Sequence, residues 1–191
     1  NISENRASYK KLIHFGSGAE LDRSKEINES SNIFDSLPID PYGLSKNIIS
    51  RLFEKYDNFY NLRLFNVFAD NEEKNRMIKS NVNNYINHST MTIHQDRYMD
   101  FIYIDDFLKI LEMYLNDQGL PNTIDCVYES KYKLSDIANI INNLSNYKVD
   151  VDILDENLGL SYCGKNTDLG LAFDGLEFGI KELYKIISKE I

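Results

Sequence analysis

Short apolar runs alternate with segments of helical spacing along the whole chain, and that alternation limits its folds more than any other feature. "KKLIHFG" (10–16) is a compact apolar run closed by Gly-Ser-Gly, which reads as a buried strand ending in a tight turn. Residues 22–40 are polar and irregular, a long loop. After Pro41, apolar residues at Leu44, Ile48, Ile49, Leu52 and Phe53 fall on one helical face. "NLRLFNVF" (61–68) reads as the next strand, and Met77, Ile78, Val82 and Ile86 form a helical stripe. "TMTIH" (90–94) is a short strand. "DFIYIDDFLKILEMYL" (100–115) switches from strand to helix, with Asp105 and Asp106 where carboxylates cap free N–H groups. "TIDCVY" reads as a strand, "KLSDIANIINNLS" as a helix capped by Ser135, "KVDVDIL" as a half-exposed strand, and "GLEFGIKELYKIISKEI" as a closing helix. Strand–helix alternation of this kind builds an α/β fold with a largely parallel sheet.

Composition narrows the partners. The 191 residues carry a net charge of −9, which repels phosphate backbones and argues against nucleic acid. No apolar run approaches the roughly 20 residues a membrane helix needs, so no membrane partner is expected. Two distant cysteines, Cys126 and Cys163, suit a reducing cytoplasm better than a disulfide scaffold. Three histidines and two cysteines show no metal-ligand spacing, so no metal is expected.

"DPYGLSK" (40–46) carries the chemistry. Tyr42 and Lys46 are four apart and share a helix face. The spacing alone fits a proton-transferring phenol beside a cation or an ordinary surface pair, and the other motifs decide between them. Ser17 ends the first strand, where ligands of open parallel sheets bind. "RLFNVF" (63–68) brings Asn66 to the same edge, and "DFIYIDD" (100–106) follows at a strand-to-helix junction. Taken in this order, the four motifs closely resemble the extended short-chain dehydrogenase/reductase family, the NAD(P)-dependent epimerases, dehydratases and reductases of nucleotide sugars. The resemblance runs from about Lys11 to Asp106 and more loosely to the end.

It implies the C-terminal part of a Rossmann-like parallel sheet over residues 1–70. Residues 71–191 would form a small α/β substrate-binding region with returning strands at about 100–127. Ser17, Tyr42 and Lys46 would be catalytic. Tyr42, Lys46 and Phe65 would contact NAD or NADP. Ser17, Asn66 and Arg97 would contact a nucleotide-diphosphate sugar. The full-length enzyme would be a cytoplasmic homodimer.

Departures from the family pattern refine the expectation. The phosphate-binding G-x-x-G-x-x-G is absent, and "FGSGAE" occupies the serine position instead. The chain therefore reads as the C-terminal two-thirds of a longer enzyme, marginally stable and inactive by itself. The sugar dehydratases follow their hydroxyl residue with Asp-Glu. Here Gly18-Ala19 follows Ser17, and Glu20 comes one place late. The double-epimerising relatives place Cys and His where this chain has Ala19 and Asn71. Met99 stands where many relatives have an arginine that grips the diphosphate, and Arg97 is the candidate substitute. Ketone reduction at C4 or C4 epimerisation remains, with a non-catalytic binding or assembly subunit on the same fold as the alternative.

Overall fold

A computed structural model of the chain describes residue 8 and residues 10–116 and 119–189. Three parallel strands form its main sheet: β1 (Leu12–Ser17), β2 (Phe59–Leu64) and β6 (Thr123–Cys126), in the order β1-β2-β6. Registers Ser17↔Leu64 and Leu64↔Cys126 level their carboxyl ends. The two residues β3 (Val67–Phe68) pair in parallel with β5 (Ile102–Tyr103), and β4 (Met91–Gln95) pairs in parallel with β7 (Val151–Asp155). Among the described residues five α-helices connect them: α1 (Pro41–Phe53), α2 (Met77–Ile86), α3 (Ile104–Asn116), α4 (Leu134–Asn142) and α5 (Leu176–Ile187). The fold is α/β with parallel pairing throughout its named strands, as the alternation predicts.

The principal core lies where α2, α3, α4 and α5 cover the sheets, with Leu62, Val82, Tyr85, Met91, Ile102, Tyr114, Ile137 and Ile180 almost fully buried. A smaller cluster of Leu21, Ile27, Ile33, Phe65 and Val127, with Tyr162 packed on it, closes the carboxyl end of the main sheet. Among the described residues β1 pairs with β2 on one side only, so its outer edge is open and Phe15 is 47% exposed.

Three local expectations are corrected. The run 61–68 is two strands. The chain leaves the main sheet after Leu64, and Val67–Phe68 joins β5. Ser135 does not cap α4. Lys133 is the cap residue, and Ser135 donates its amide and hydroxyl to Asp96 at 3.0 and 2.7 Å. Asp106 does not cap its own helix either. It accepts the amides of Asp174 and Gly175 at 2.9 Å each, the hydroxyl of Tyr128 at 2.6 Å and the ammonium of Lys109 at 2.8 Å. That fully buried carboxylate fastens the start of α5 to α3. Burial opposes its charge, but the hydrogen bonds outweigh burial and hold its pKa below the usual carboxylate value.

Candidate active site

Ser17 ends β1 in extended backbone and opens a single 3-10 turn, Gly18–Glu20. Its Oγ accepts the Ala19 amide at 3.2 Å, and its own amide donates to Glu20 Oε1 at 3.0 Å. The flanking glycines supply space. A Cβ on Gly16 would lie 2.3 Å from Glu20 Oε1, and one on Gly18 would lie 2.5 Å from the Tyr162 hydroxyl and 2.7 Å from the Phe65 ring. The Gly-Ser-Gly therefore lets two buried groups approach the serine.

Beneath it, Glu20 is fully buried and accepts Arg63 Nε at 2.8 Å and Asn61 Nδ2 at 3.0 Å. Arg63 Nη1 reaches Asp125 Oδ1 at 2.5 Å, and Asp125 Oδ2 accepts the Lys165 amide at 2.8 Å. This ion network ties the ends of β1, β2 and β6 together. It engages Glu20 away from any substrate.

Asp40 caps α1 by accepting the Gly43 amide at 2.8 Å, with Pro41 at the first helical position. Tyr42 follows in the first turn and is 55% exposed. Lys46, one turn on, places its Nζ 5.9 Å from the Tyr42 ring centre and donates to the Phe15 carbonyl at 2.8 Å. The lysine is thus moored two residues before Ser17, beside the open edge of β1.

A cavity of about 490 Å³ brings Ser17, Tyr42, Phe65, Asn66 and Arg97 to one surface. Lys46 stands next to it and does not line it. Phe65 is a buried wall residue, its ring 4.9 Å from that of Tyr162. Asn66 donates to the Asp100 carbonyl at 2.9 Å, and Arg97 Nη2 donates to Gln95 Oε1 at 2.8 Å. Met99 lines the same cavity as Arg97.

Sequence reasoning missed Arg23, Lys25, Arg76 and Tyr162 in this wall. Tyr162 arrives through parallel bridges to Ile27 and Met99, from a segment without a motif. Burial pushes the pKa of its phenol up to about 12. Asp100 organises the neighbourhood: its carboxylate accepts the Gly164 amide and the Lys131 ammonium, each at 2.8 Å. Its amide donates to the Tyr162 carbonyl. Burial raises Asp100 to a pKa of about 6 against the pull of Lys131.

Two further cavities adjoin. One of about 320 Å³, between α2 and β4, shares Gln95, Arg97 and Met99 with the central cavity. The other, of about 330 Å³, shares Asn66, Arg76 and Met99 and holds Glu72. Among the described residues no group of His, Cys, Asp or Glu could hold a metal ion, and no helix is long and apolar enough to cross a membrane. Both cysteines are free and buried.

Comparison with known proteins shows what this fold is similar to. A GDP-mannoheptose C4 reductase from Campylobacter jejuni, solved with NADP, superposes with a TM-score of 0.76 at 16% identity, over 97% of this chain and 72% of that one. A UDP-N-acetylglucosamine 4-epimerase from Methanobrevibacter ruminantium, solved with UDP-N-acetylmuramic acid, gives 0.75 at 21% identity, over 100% and 66%. A UDP-glucuronic acid 4-epimerase from Bacillus cereus, solved with UDP-glucuronic acid and NAD, gives 0.71 at 16%, over 95% and 62%. At these identities the likeness is one of fold, and the chain spans 62% to 72% of the three structures' lengths. No curated protein matches the chain. Residues 3–125 match the family model described as NAD dependent epimerase/dehydratase family, which is more than half of the chain, and the chain belongs to that family.

Proposed function

We propose that the chain carries the substrate site and proton-transfer residues of an NAD(P)-dependent nucleotide-sugar oxidoreductase, a 4-keto sugar reductase or a C4 epimerase. The observation that carries the reading is one cavity lined by Ser17, Tyr42 and Asn66 together with Arg76 and Arg97. Gln95, Arg97 and Met99 border both this cavity and its neighbour between α2 and β4. Arg97 and Arg76 would neutralise the diphosphate, the neighbouring cavity would take the nucleoside, and the sugar would lie against Ser17 and Tyr42.

The chemistry asked of these residues is modest. The nicotinamide of NAD or NADP supplies or accepts the hydride when bound. Tyr42 gives a proton to the oxygen at C4 during reduction and takes it back during oxidation. The Lys46 ammonium steadies the negative charge left on the phenol oxygen. Ser17 orients the sugar oxygen. Exposed Tyr42 and half-buried Lys46, beside the open edge of β1, fit the nicotinamide and its ribose. The pyrophosphate cradle is a different matter, since no G-x-x-G-x-x-G occurs in these 191 residues. Residues 1–70 would serve the cofactor side and residues 71–191 chiefly the substrate. A cytoplasmic homodimer is the assembly we assign to the full-length enzyme.

Kinetics of the enzyme that includes the dinucleotide-binding half test the reading. Tyr42→Phe keeps the packing and removes the acid, and should lower kcat about 10²–10⁴-fold. Lys46→Met should reduce turnover and cofactor affinity together, and Ser17→Ala should be milder. The alternative is a non-catalytic binding or assembly subunit on the same fold. Near-wild-type turnover of Tyr42→Phe would put that alternative ahead.

A further inference from the structure

We propose that the sugar bound here carries an acid group of its own: the ligand is a carboxylate-bearing sugar joined to a nucleoside diphosphate. The proposal rests on the nucleotide-sugar reading above. Its basis is a mismatch of charge. The chain has a net charge of −9, yet the central cavity is lined by Arg23, Lys25, Arg76 and Arg97 and by no carboxylate.

The four cations divide into two pairs. Arg76 and Arg97 each line an adjoining cavity as well, which puts them at the junctions where a diphosphate would pass. Arg23 and Lys25 line neither of those two cavities. They come from the segment that leaves the turn after Ser17. Arg23 is held by Asp40, the cap of the helix whose first turn carries Tyr42. Arg23 therefore stands at the Tyr42 end of the cavity, where the sugar would lie, and Lys25 lines the same cavity.

Each member of this second pair has a carboxylate that holds it, and neither carboxylate lines the cavity. Arg23 Nη2 meets Asp40 Oδ2 at 3.0 Å, and Asp40 also caps α1. Lys25 Nζ meets Asp22 Oδ2 at 3.4 Å, and Asp22 Oδ1 also accepts the Ser24 amide and hydroxyl. A guanidinium has five N–H donors and an ammonium three, so one contact apiece leaves donors for a ligand. A planar carboxylate matches the guanidinium fork in a way that a sugar hydroxyl does not. The Arg23 side chain is 48% exposed, so its contribution is that of a half-solvated charge.

Calorimetric titration of the chain at low salt tests this with matched pairs that differ only at C6: UDP-glucose against UDP-glucuronate, and GDP-mannose against GDP-mannuronate. In whichever pair binds, the uronate should bind about tenfold tighter, as expected for one charge-assisted contact. Arg23→Gln should bring that ratio toward one and leave the neutral sugar within about twofold of its wild-type affinity. Arg23→Lys, which keeps charge and loses the fork, should fall between. Arg97→Gln should weaken both members of the pair alike. Thermal unfolding of each variant checks that it folds. A ratio near one in the wild type, or an equal loss for both sugars in Arg23→Gln, would overturn the proposal and leave the nucleotide-sugar reading standing. Failure of both pairs and of UDP and GDP to bind would overturn both.

Discussion

Glu20→Gln probes the structure under the catalytic serine. The carboxylate accepts the Ser17 amide, the Asn61 side-chain amide and Arg63 Nε, at 3.0, 3.0 and 2.8 Å. Glutamine keeps the shape but offers one acceptor oxygen, and its own NH₂ must face one of these donors. Arg63, buried to 7% exposure, would be left with Asp125 as its sole counter-charge. Breaking a buried ion pair by removing one partner costs about 3–5 kcal/mol, and the surviving Asp125 contact puts this case at the lower end. That is a large part of the roughly 5–15 kcal/mol by which a domain is stable. Urea unfolding, followed by circular dichroism and extrapolated at constant m-value, measures the loss directly. A cycle with Arg63→Met should show coupling of more than about 1 kcal/mol. A Glu20→Gln variant within about 0.5 kcal/mol of wild type would refute the reasoning, because the network would then be no more than a surface-strength contact.

Other perturbations follow from the same geometry. Burial lifts the Glu72 pKa to about 7, against the pull of Arg76 and Lys79. A raised carboxyl pKa contributes stability below the unfolded value and loses it as pH climbs toward 7. Glu72→Gln should therefore be more stable than wild type at pH 8, by on the order of 1 kcal/mol, and the gap should close by about pH 4.5 in thermal melts. Gly18→Ala would push its methyl group into the Phe65 ring and the Tyr162 hydroxyl. It should weaken nucleotide-sugar binding by calorimetry more than Gly119→Ala, where a Cβ meets nothing within 4 Å but the left-handed φ of 78° strains any side chain. Asp106→Asn sets an NH₂ where one carboxylate oxygen accepts two of the four donors and should destabilise the chain by about 1–3 kcal/mol, with hydrogen exchange fastest to rise at the start of α5.

The parts of this molecule that were legible in the sequence are those written in local spacing. Period and punctuation place α1, α2, β1 and β4, and the four-residue step from Tyr42 to Lys46 fixes both on one turn whatever else the chain does. Ser17 and Asn66 reach one cavity because β1 and β2 end level, and Tyr42 on α1 and Arg97 beyond β4 join them there. What was not legible depends on partners far along the chain. Glu20 stood out in the sequence only as one place late for the dehydratase pattern, whereas Asn61 and Arg63, 41 and 43 residues away, make it a buried anchor. Asp106 looked like a cap for its own helix and serves the amides of Asp174 and Gly175. The break between β2 and β3 falls in "LFNV" without a glycine or proline, since it comes from Val67 and Phe68 pairing with β5. Tyr162 carries no motif and reaches the site only through its bridges to Ile27 and Met99.

A crystal structure of the chain soaked with a nucleotide sugar whose nucleoside diphosphate binds in titration tests the central claim most directly. The account predicts the diphosphate at Arg97 and Arg76 and the nucleoside between α2 and β4. It predicts the C4 oxygen of the sugar within about 2.6–3.2 Å of both Ser17 Oγ and the Tyr42 hydroxyl. A nucleotide sugar ordered elsewhere, or ordered here with its C4 oxygen turned away from Ser17 and Tyr42, would contradict it.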